Sequence, residues 1–273
     1  MKINKFKITI LMDDQPGYGL KNEHGFSALI ENRDDSILFD TGQSGAFIDN
    51  ALKLGKNLQK VSKVVISHGH YDHIGGLRDF LEINRKAKVY IKKEAFYKKL
   101  KLEDGKYKSI GLSDDLSVYT SRFVFSEEVS EIGKGIYISA NIQNHGYRIH
   151  NKNMFTEVDG IIEEDRFDDE QFLFIKFEDQ AFIISGCSHR GIVNIVKSAI
   201  SQSNCSGVKG ILGGFHMLNE NEEDVNREMS ALKKMNPKII APCHCTGEIA
   251  IHKFKKMFSQ NYFHIKTGIN LEV

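Results

Sequence analysis

Lys63-Val64-Val65-Ile66-Ser67-His68-Gly69-His70-Tyr71-Asp72-His73 is the stretch that decides the fold. Its first half is a short β-branched run of the kind that makes a buried strand. Its second half puts the imidazoles of His68, His70 and His73 and the carboxylate of Asp72 on one loop. A donor-rich loop at the end of a rigid strand is where sites are built. Imidazole nitrogen and carboxylate oxygen suit zinc or another divalent first-row ion, and so dense a cluster can begin two adjacent sites. The competing reading, a solvated histidine-rich turn, sits poorly with the strand before it. Gly75-Gly76 is expected to let the backbone turn sharply into a helix over 77–83, leaving the donors exposed at the strand's end.

Working outward, β-branched and aromatic runs over 7–12, 26–31, 36–40, 63–67 and 88–91 read as strands. Between them, 44–54 sets Phe47, Ile48, Ala51, Leu52 and Leu54 at helical spacing, with Gly55 as its stop. The second half repeats the rhythm. Strands over 172–177 and 181–185 precede a helix carrying Ile192, Val193, Ile195, Val196, Ala199 and Ile200. A strand over 208–212, a polar helix over 221–235, a strand over 238–241, a helix after Gly247 and a strand over 262–265 complete the pattern. Each strand face and helical stripe needs a partner, so an α/β fold with paired sheets inside and helices outside, an αββα sandwich, is the layered solution. Residues 1–273 read as one domain with an insertion near 92–135, which also reads as a lid. The seven lysines between 92 and 108 and the eight acids between 157 and 170 read as solvated surface.

The overall balance, 37 lysines and arginines against 36 acids, gives no reason to invoke nucleic acid or an anionic membrane as partner, and a small-molecule substrate is expected. The apolar run 8–12 is too short for a signal peptide, no later stretch has transmembrane length, and four cysteines do not make a secreted disulfide scaffold. A cytoplasmic enzyme is the expectation.

Further motifs span the chain: Glu23-His24-Gly25-Phe26-Ser27, Asp40-Thr41-Gly42, Ser185-Gly186-Cys187-Ser188-His189, Gly213-Gly214-Phe215-His216 and Pro242-Cys243-His244-Cys245-Thr246-Gly247. With the HxHxDH run they resemble the metallo-β-lactamase superfamily, and the set is similar to its branch of dihydropterin ribofuranosyl-aminobenzene phosphate synthases and related metal-dependent hydrolases. The resemblance implies the αββα sandwich and a supporting role for Asp40, which would orient ligand histidines. It also implies later ligands: a histidine, an aspartate or cysteine after a strand, and a final histidine. Cys187 resembles the aspartate-or-cysteine position and His244 the final histidine. The family's intermediate histidine is hard to place. His145 and His150 follow no convincing strand, and His189 is the better candidate, with Cys187 as a second ligand or a buried structural thiol. A separate site at Cys243-His244-Cys245 is disfavoured because neighbours along an extended segment point to opposite faces.

The metal ligands implied are therefore His68, His70, Asp72, His73, Cys187, His189 and His244, holding two divalent ions, zinc first, with manganese or iron left open. Asp72 and His216 are the candidate catalytic residues, His216 as a proton donor. The function implied is hydrolysis of a small, phosphorylated or otherwise anionic substrate through metal-activated water. The alternative is a pterin-type transferase that releases diphosphate. Flavo-diiron redox chemistry fits less well, because it places a glutamate where this chain has His70. A binding module that has lost its chemistry would show gaps in the HxHxDH run.

Overall fold

A computed structural model describes residues 5–218 and 220–273. In chain order the first strands are β1 (Lys7–Met12), β2 (Ser27–Glu31), β3 (Ser36–Phe39), β4 (Lys63–Val65), β5 (Lys88–Ile91), β6 (Lys98–Glu103), β7 (Lys106–Ser109) and β8 (Phe123–Phe125). They are followed by β9 (Val129–Gly133), β10 (Ile136–Ser139), β11 (Met154–Val158), β12 (Ile161–Glu164), β13 (Phe172–Phe177), β14 (Gln180–Ser185), β15 (Gly207–Gly214), β16 (Ile239–Cys243) and β17 (Asn270–Glu272). The α-helices are α1 (Ala46–Lys53), α2 (Tyr71–Ile74), α3 (Leu77–Ile83), α4 (Ile192–Ser203), α5 (Glu222–Met235) and α6 (Glu248–Phe258). They group into two compact units. The first takes in the chain up to Ser126 with Asn151–Asp169 and Lys266–Val273, and the second takes in Glu127–His150 and Glu170–Ile265. Among the described residues no helix is long and apolar enough to cross a membrane.

The first unit is built on a sheet of order β17-β1-β2-β3-β4-β5-β8. It is antiparallel from β17 to β3 and parallel from β3 to β8. Parallel neighbours need a crossover, and α1 supplies it between β3 and β4, as α2 and α3 do between β4 and β5. Leu29, Leu38, Val64 and Val89 of the sheet join Phe47 and Ala51 of α1 and Leu77 and Phe80 of α3 in one buried cluster. The helical stripe expected of α1 is not wholly apolar. Leu52 is 77% exposed, while Asn50 is buried and its side-chain amide donates to the Leu11 and Lys21 carbonyls at 2.8 and 2.9 Å. The parallel pairing brings the C-terminal ends of β3 and β4 side by side, so that Asp40 and Ser67–His73 emerge from neighbouring strands.

A second, antiparallel sheet in the same unit has the order β12-β11-β6-β7. It corrects one expectation and fills in another. The segment read as an insertion near 92–135 carries regular strands: β6 and β7 form a hairpin that pairs with β11, and β8 extends the larger sheet. The acidic stretch 157–170 is not simply a solvated loop, because it holds β12 and the buried carboxylates of Asp165, Asp169 and Glu170. The buried ammonium of Lys99 answers two of them, at 3.0 Å from Asp165 and 2.8 Å from Asp169.

The second unit carries a sheet of order β16-β15-β14-β13-β10-β9, parallel across β14, β15 and β16. α4 and α5 are the two crossovers. Ile192, Val193, Ile195, Val196 and Ala199 of α4 enter a buried cluster with Phe172, Phe174, Ile183 and Ile211 of the sheet, as their helical spacing predicts. The polar helix α5 lies over the expected residues and is capped by Asn221, whose side chain accepts from the Asp224 N–H at 2.8 Å. The strand expected over 262–265 is only a bridge from Tyr262 to Ile240, and the last strand is β17, which completes the first unit's sheet.

Candidate metal centre

In the first unit Asp40 organises the donor loop. It is fully buried, with φ +56°, a left-handed conformation that aspartate tolerates better than most residues. Its Oδ1 accepts the Ser67 N–H at 2.6 Å, and its Oδ2 accepts the Ser67 hydroxyl and lies 2.7 Å from His73 Nδ1. The Thr41 N–H and hydroxyl both donate to the His73 carbonyl, at 2.7 and 2.9 Å. The supporting role expected for Asp40 therefore has a geometry: it fixes the orientation of the His73 ring.

The ring of His68 lies with its centroid 4.6 Å from that of His70 and 4.3 Å from that of His73. His68, His70, Asp72 and His73 are all buried. Burial, with the neighbouring His73 and His70 imidazoles, holds His68 well below the usual histidine range. Burial likewise takes His70 down to about 4. Burial works against charge on His73 too, but Asp72 and Asp40 override it and push that ring up to about 9. Neutral imidazole is the form that ligates a metal. His24, to which the sequence assigns no role, has its Nε2 3.3 Å from Asp72 Oδ2 and its Nδ1 2.8 Å from Asp14.

Gly75 and Gly76 follow as expected, but for another reason. Their backbones are not in the left-handed region, with φ −62° and −83°. What excludes a side chain is crowding: a Cβ would lie 2.3 Å from the Gln43 carbonyl oxygen at Gly75 and 2.4 Å from that of Thr41 at Gly76.

In the second unit the C-terminal ends of three parallel strands each deliver a donor, the usual place for a site in such sheets. Cys187 and His189 follow β14, His216 follows β15, and His244 and Cys245 follow β16. Ser188, His216 and His244 have φ of +61°, +46° and +48°, the backbone strain that clusters at functional sites. The Ser188 hydroxyl donates to the Gly214 carbonyl at 2.6 Å. Glu170 accepts the N–H groups of His189 and Arg190, each at 2.7 Å, and so fixes the turn after Cys187. The His189 and His216 rings are 4.2 Å apart. One ligand atom from each of Cys187, His216 and Cys245 falls within 4.8 Å of the others. Burial pushes the Cys245 thiol up, but contact with Cys187 and the nearness of His244 and His216 outweigh it and bring it well below the ordinary thiol range.

No strand leads into His150, and its sequence context gives it no mark of a site residue. It is buried, its N–H donates to the His189 carbonyl at 2.6 Å, and its ring nitrogens lie 3.2 Å from Glu220 and 3.5 Å from Glu228. Burial opposes charge on it, but the two glutamates override that and raise it to about 9. Nothing in its local sequence marks the pairing, since its partners lie on the turn before α5 and on α5 itself.

The donor sets fit divalent ions. Imidazoles, a carboxylate and thiols are buried, and His73 and His189 each have their Nδ1 edge anchored by a protein oxygen, at 2.7 Å from Asp40 and 3.2 Å from the His150 carbonyl. The family model of the metallo-beta-lactamase superfamily matches residues 21–169. The chain belongs to the metallo-β-lactamase superfamily.

Across almost its whole length it is also similar to two proteins of Methanocaldococcus jannaschii. One, the uncharacterized protein MJ0448, is 33% identical over 94% of this chain and 97% of its own. The other is the 7,8-dihydropterin-6-methyl-4-(beta-D-ribofuranosyl)-aminobenzene-5'-phosphate synthase, 30% identical over 98% of this chain and 96% of its own. Among solved structures, Tm1679, described as a metal-dependent hydrolase of the β-lactamase superfamily, superposes with a TM-score of 0.85. It is 35% identical and covers 98% of this chain and 99% of its own. The superfamily fold and the branch read from the motifs both hold. Members of this superfamily bind divalent metals, and the chain is of the metal-dependent, hydrolase-like type.

Proposed function

We propose that this metallo-β-lactamase-fold protein is a cytoplasmic hydrolase of a small, phosphorylated or otherwise anionic substrate, working with two divalent ions, zinc the best fit to the donors. The proposed ligands are His68, His70, Asp72, His73, His189 and His244, with Cys187 as a further donor. The observation that carries the reading is the burial of His68, His70, Asp72 and His73 on one loop, already oriented by Asp40. Divalent ions supply there the Lewis acidity that brings the pKa of water toward neutrality and offsets charge on a leaving group.

The protein's own groups do the rest. Asp72 is held by His24 and is the proposed base, and His216, whose ring lies 4.2 Å from that of His189, is the proposed proton donor to the leaving group. A cavity of about 600 Å³, in the range of small-molecule sites, is lined by Met217 and Thr246, the residues that follow His216 and Cys245. Leu218 and Ile249 give it apolar walls, and Lys253 stands in it paired with Glu222, beside Glu220 and Glu248. No disulfide joins Cys187, Cys205, Cys243 or Cys245, which suits a reducing compartment.

The likeness to the dihydropterin synthase over nearly the whole chain favours a second reading, transfer of a pterin group from its diphosphate to an aryl amine. One assay separates them. The metal-loaded protein is incubated with phosphodiesters, lactones and a pterin diphosphate, with and without an aryl amine. Hydrolysis predicts turnover without amine. Diphosphate release that appears only with amine overturns it. Metal analysis accompanies the assay: about two equivalents are expected in the parent protein, falling in His68→Ala and His244→Ala, and full retention in both variants refutes the ligand assignment.

A further inference from the structure

Lys99 is 1% exposed, yet it is a lysine on a hairpin whose other lysines face water. Its ammonium lies 2.8 Å from Asp169 Oδ1 and 3.0 Å from Asp165 Oδ2. Burying such a cluster is a poor source of stability, since apolar residues of the same volume commonly serve as well. What the cluster provides is direction. The other oxygen of Asp169 accepts the N–H of Gly69, the residue between His68 and His70, at 2.8 Å. The other oxygen of Asp165 accepts the Phe167 N–H at 2.8 Å, in a turn where Phe167 has φ +53°. That turn sets the buried Phe167 ring edge-on to His70, with centroids 5.8 Å apart and planes at 82°.

The backbone of the same hairpin continues the grip. The Lys99 carbonyl accepts the Ile110 N–H, and the Ile110 carbonyl accepts the Tyr71 N–H, each at 2.9 Å. His70 and Gly111 form a bridge between them. A Cβ on Gly69 would stand 2.2 Å from the Ala95 carbonyl oxygen, so the loop and the 95–111 segment are in contact at the backbone. Residues 69, 70 and 71 are thus each held from the segment that the sequence marks as a charged insertion.

We propose that Lys99, Asp165, Phe167 and Asp169 form a positioning clamp that holds the His68–His70 loop in the geometry a metal ion requires. The inference rests on the metal-centre reading and deepens it: the clamp touches neither substrate nor ion and acts through Gly69 and His70. Outer partners that orient ligands act on affinity in this way.

The test uses the full chain, stripped of metal and titrated with zinc against a chromophoric chelator and with Co(II) followed by its ligand-field bands. Asp169→Ala is expected to weaken zinc binding ~10- to 100-fold and to shift the Co(II) bands. Asp169→Asn, which keeps an oxygen for the Gly69 N–H but turns its NH2 toward the Lys99 ammonium, is expected to recover part of the affinity. A folded Asp169→Ala variant with parental zinc affinity and an unchanged Co(II) spectrum overturns the proposal. If Asp169→Ala does not fold, Phe167→Leu decides, because it leaves the ion cluster intact: altered Co(II) bands support the clamp and unaltered bands overturn it. A parent protein that binds neither metal overturns the metal-centre reading together with the clamp, and differs from failure of the clamp alone by appearing in the unsubstituted chain.

Discussion

Asp40→Asn isolates what a single buried carboxylate contributes to the donor loop. Asparagine tolerates φ +56°, so the backbone is not at issue. The carboxylate serves three partners: the Ser67 N–H at 2.6 Å, the Ser67 hydroxyl at 2.7 Å and His73 Nδ1 at 2.7 Å. The amide keeps one oxygen, which suits the Ser67 N–H, and turns its NH2 toward the other two. The Ser67 hydroxyl can rotate to accept, but the His73 Nδ1–H then faces a donor. A buried hydrogen bond to a charged group contributes about 1.5–3 kcal/mol, and an unmet partner adds to its loss. Asp40→Asn should therefore destabilise the metal-free protein by ~2–4 kcal/mol, or roughly 3–7 °C in Tm at this chain length. The assay is urea unfolding followed by circular dichroism, with the His73 ring titrated by NMR in metal-free protein. Because Asp40 is one of the groups that raise His73, its protonation midpoint should fall from about 9. Stability within about 0.5 kcal/mol of the parent and an unmoved His73 midpoint would refute the account.

Two further outcomes follow from buried groups elsewhere. His150 is raised to about 9 by Glu220 and Glu228, so its stabilising contribution is complete below pH ~6.5 and is lost as pH rises through 9. The urea midpoint should fall between pH 6.5 and 9.5 by an amount equivalent to roughly 3 kcal/mol, and the slope should flatten in His150→Gln; equal slopes in parent and variant would contradict the pairing. Gly69→Ala should lower Tm by several degrees, since its Cβ would stand 2.2 Å from a carbonyl oxygen and overpacking costs about 1–3 kcal/mol; an unchanged melting curve would show that the loop has room to move.

Where burial and hydrophobic period coincide, the sequence announces the structure. β1, β5, α3 and β13 run over the residues their patterns mark, and α4 carries its apolar stripe into the core. The donor loop was legible for a similar reason: a buried β-branched strand leads straight into it. What escaped notice was the sheet of charged strands. β12 is exposed along its length and β7 likewise, so neither has an apolar face to give an alternation signal. Charges paired in the interior are indistinguishable in sequence from charges in water, which hid Lys99 with Asp165 and Asp169, and His150 with Glu220 and Glu228. The crowding at Gly75 and Gly76 escaped too, because a close approach between segments distant in sequence leaves no local mark.

The pairing of β1 with β17 sets an order of events during synthesis. Ile8 lies opposite Leu271, and β1 has β2 on its other side. At ~5–20 residues per second, roughly 13–50 s separate the emergence of these two strands from a ribosome. Every segment of the second unit, which ends at Ile265, is made within that interval. The first unit, begun earliest, is therefore the last to close its sheet, and until then β1 presents an open, largely apolar edge, the kind of surface that recruits holding chaperones or a neighbouring nascent chain.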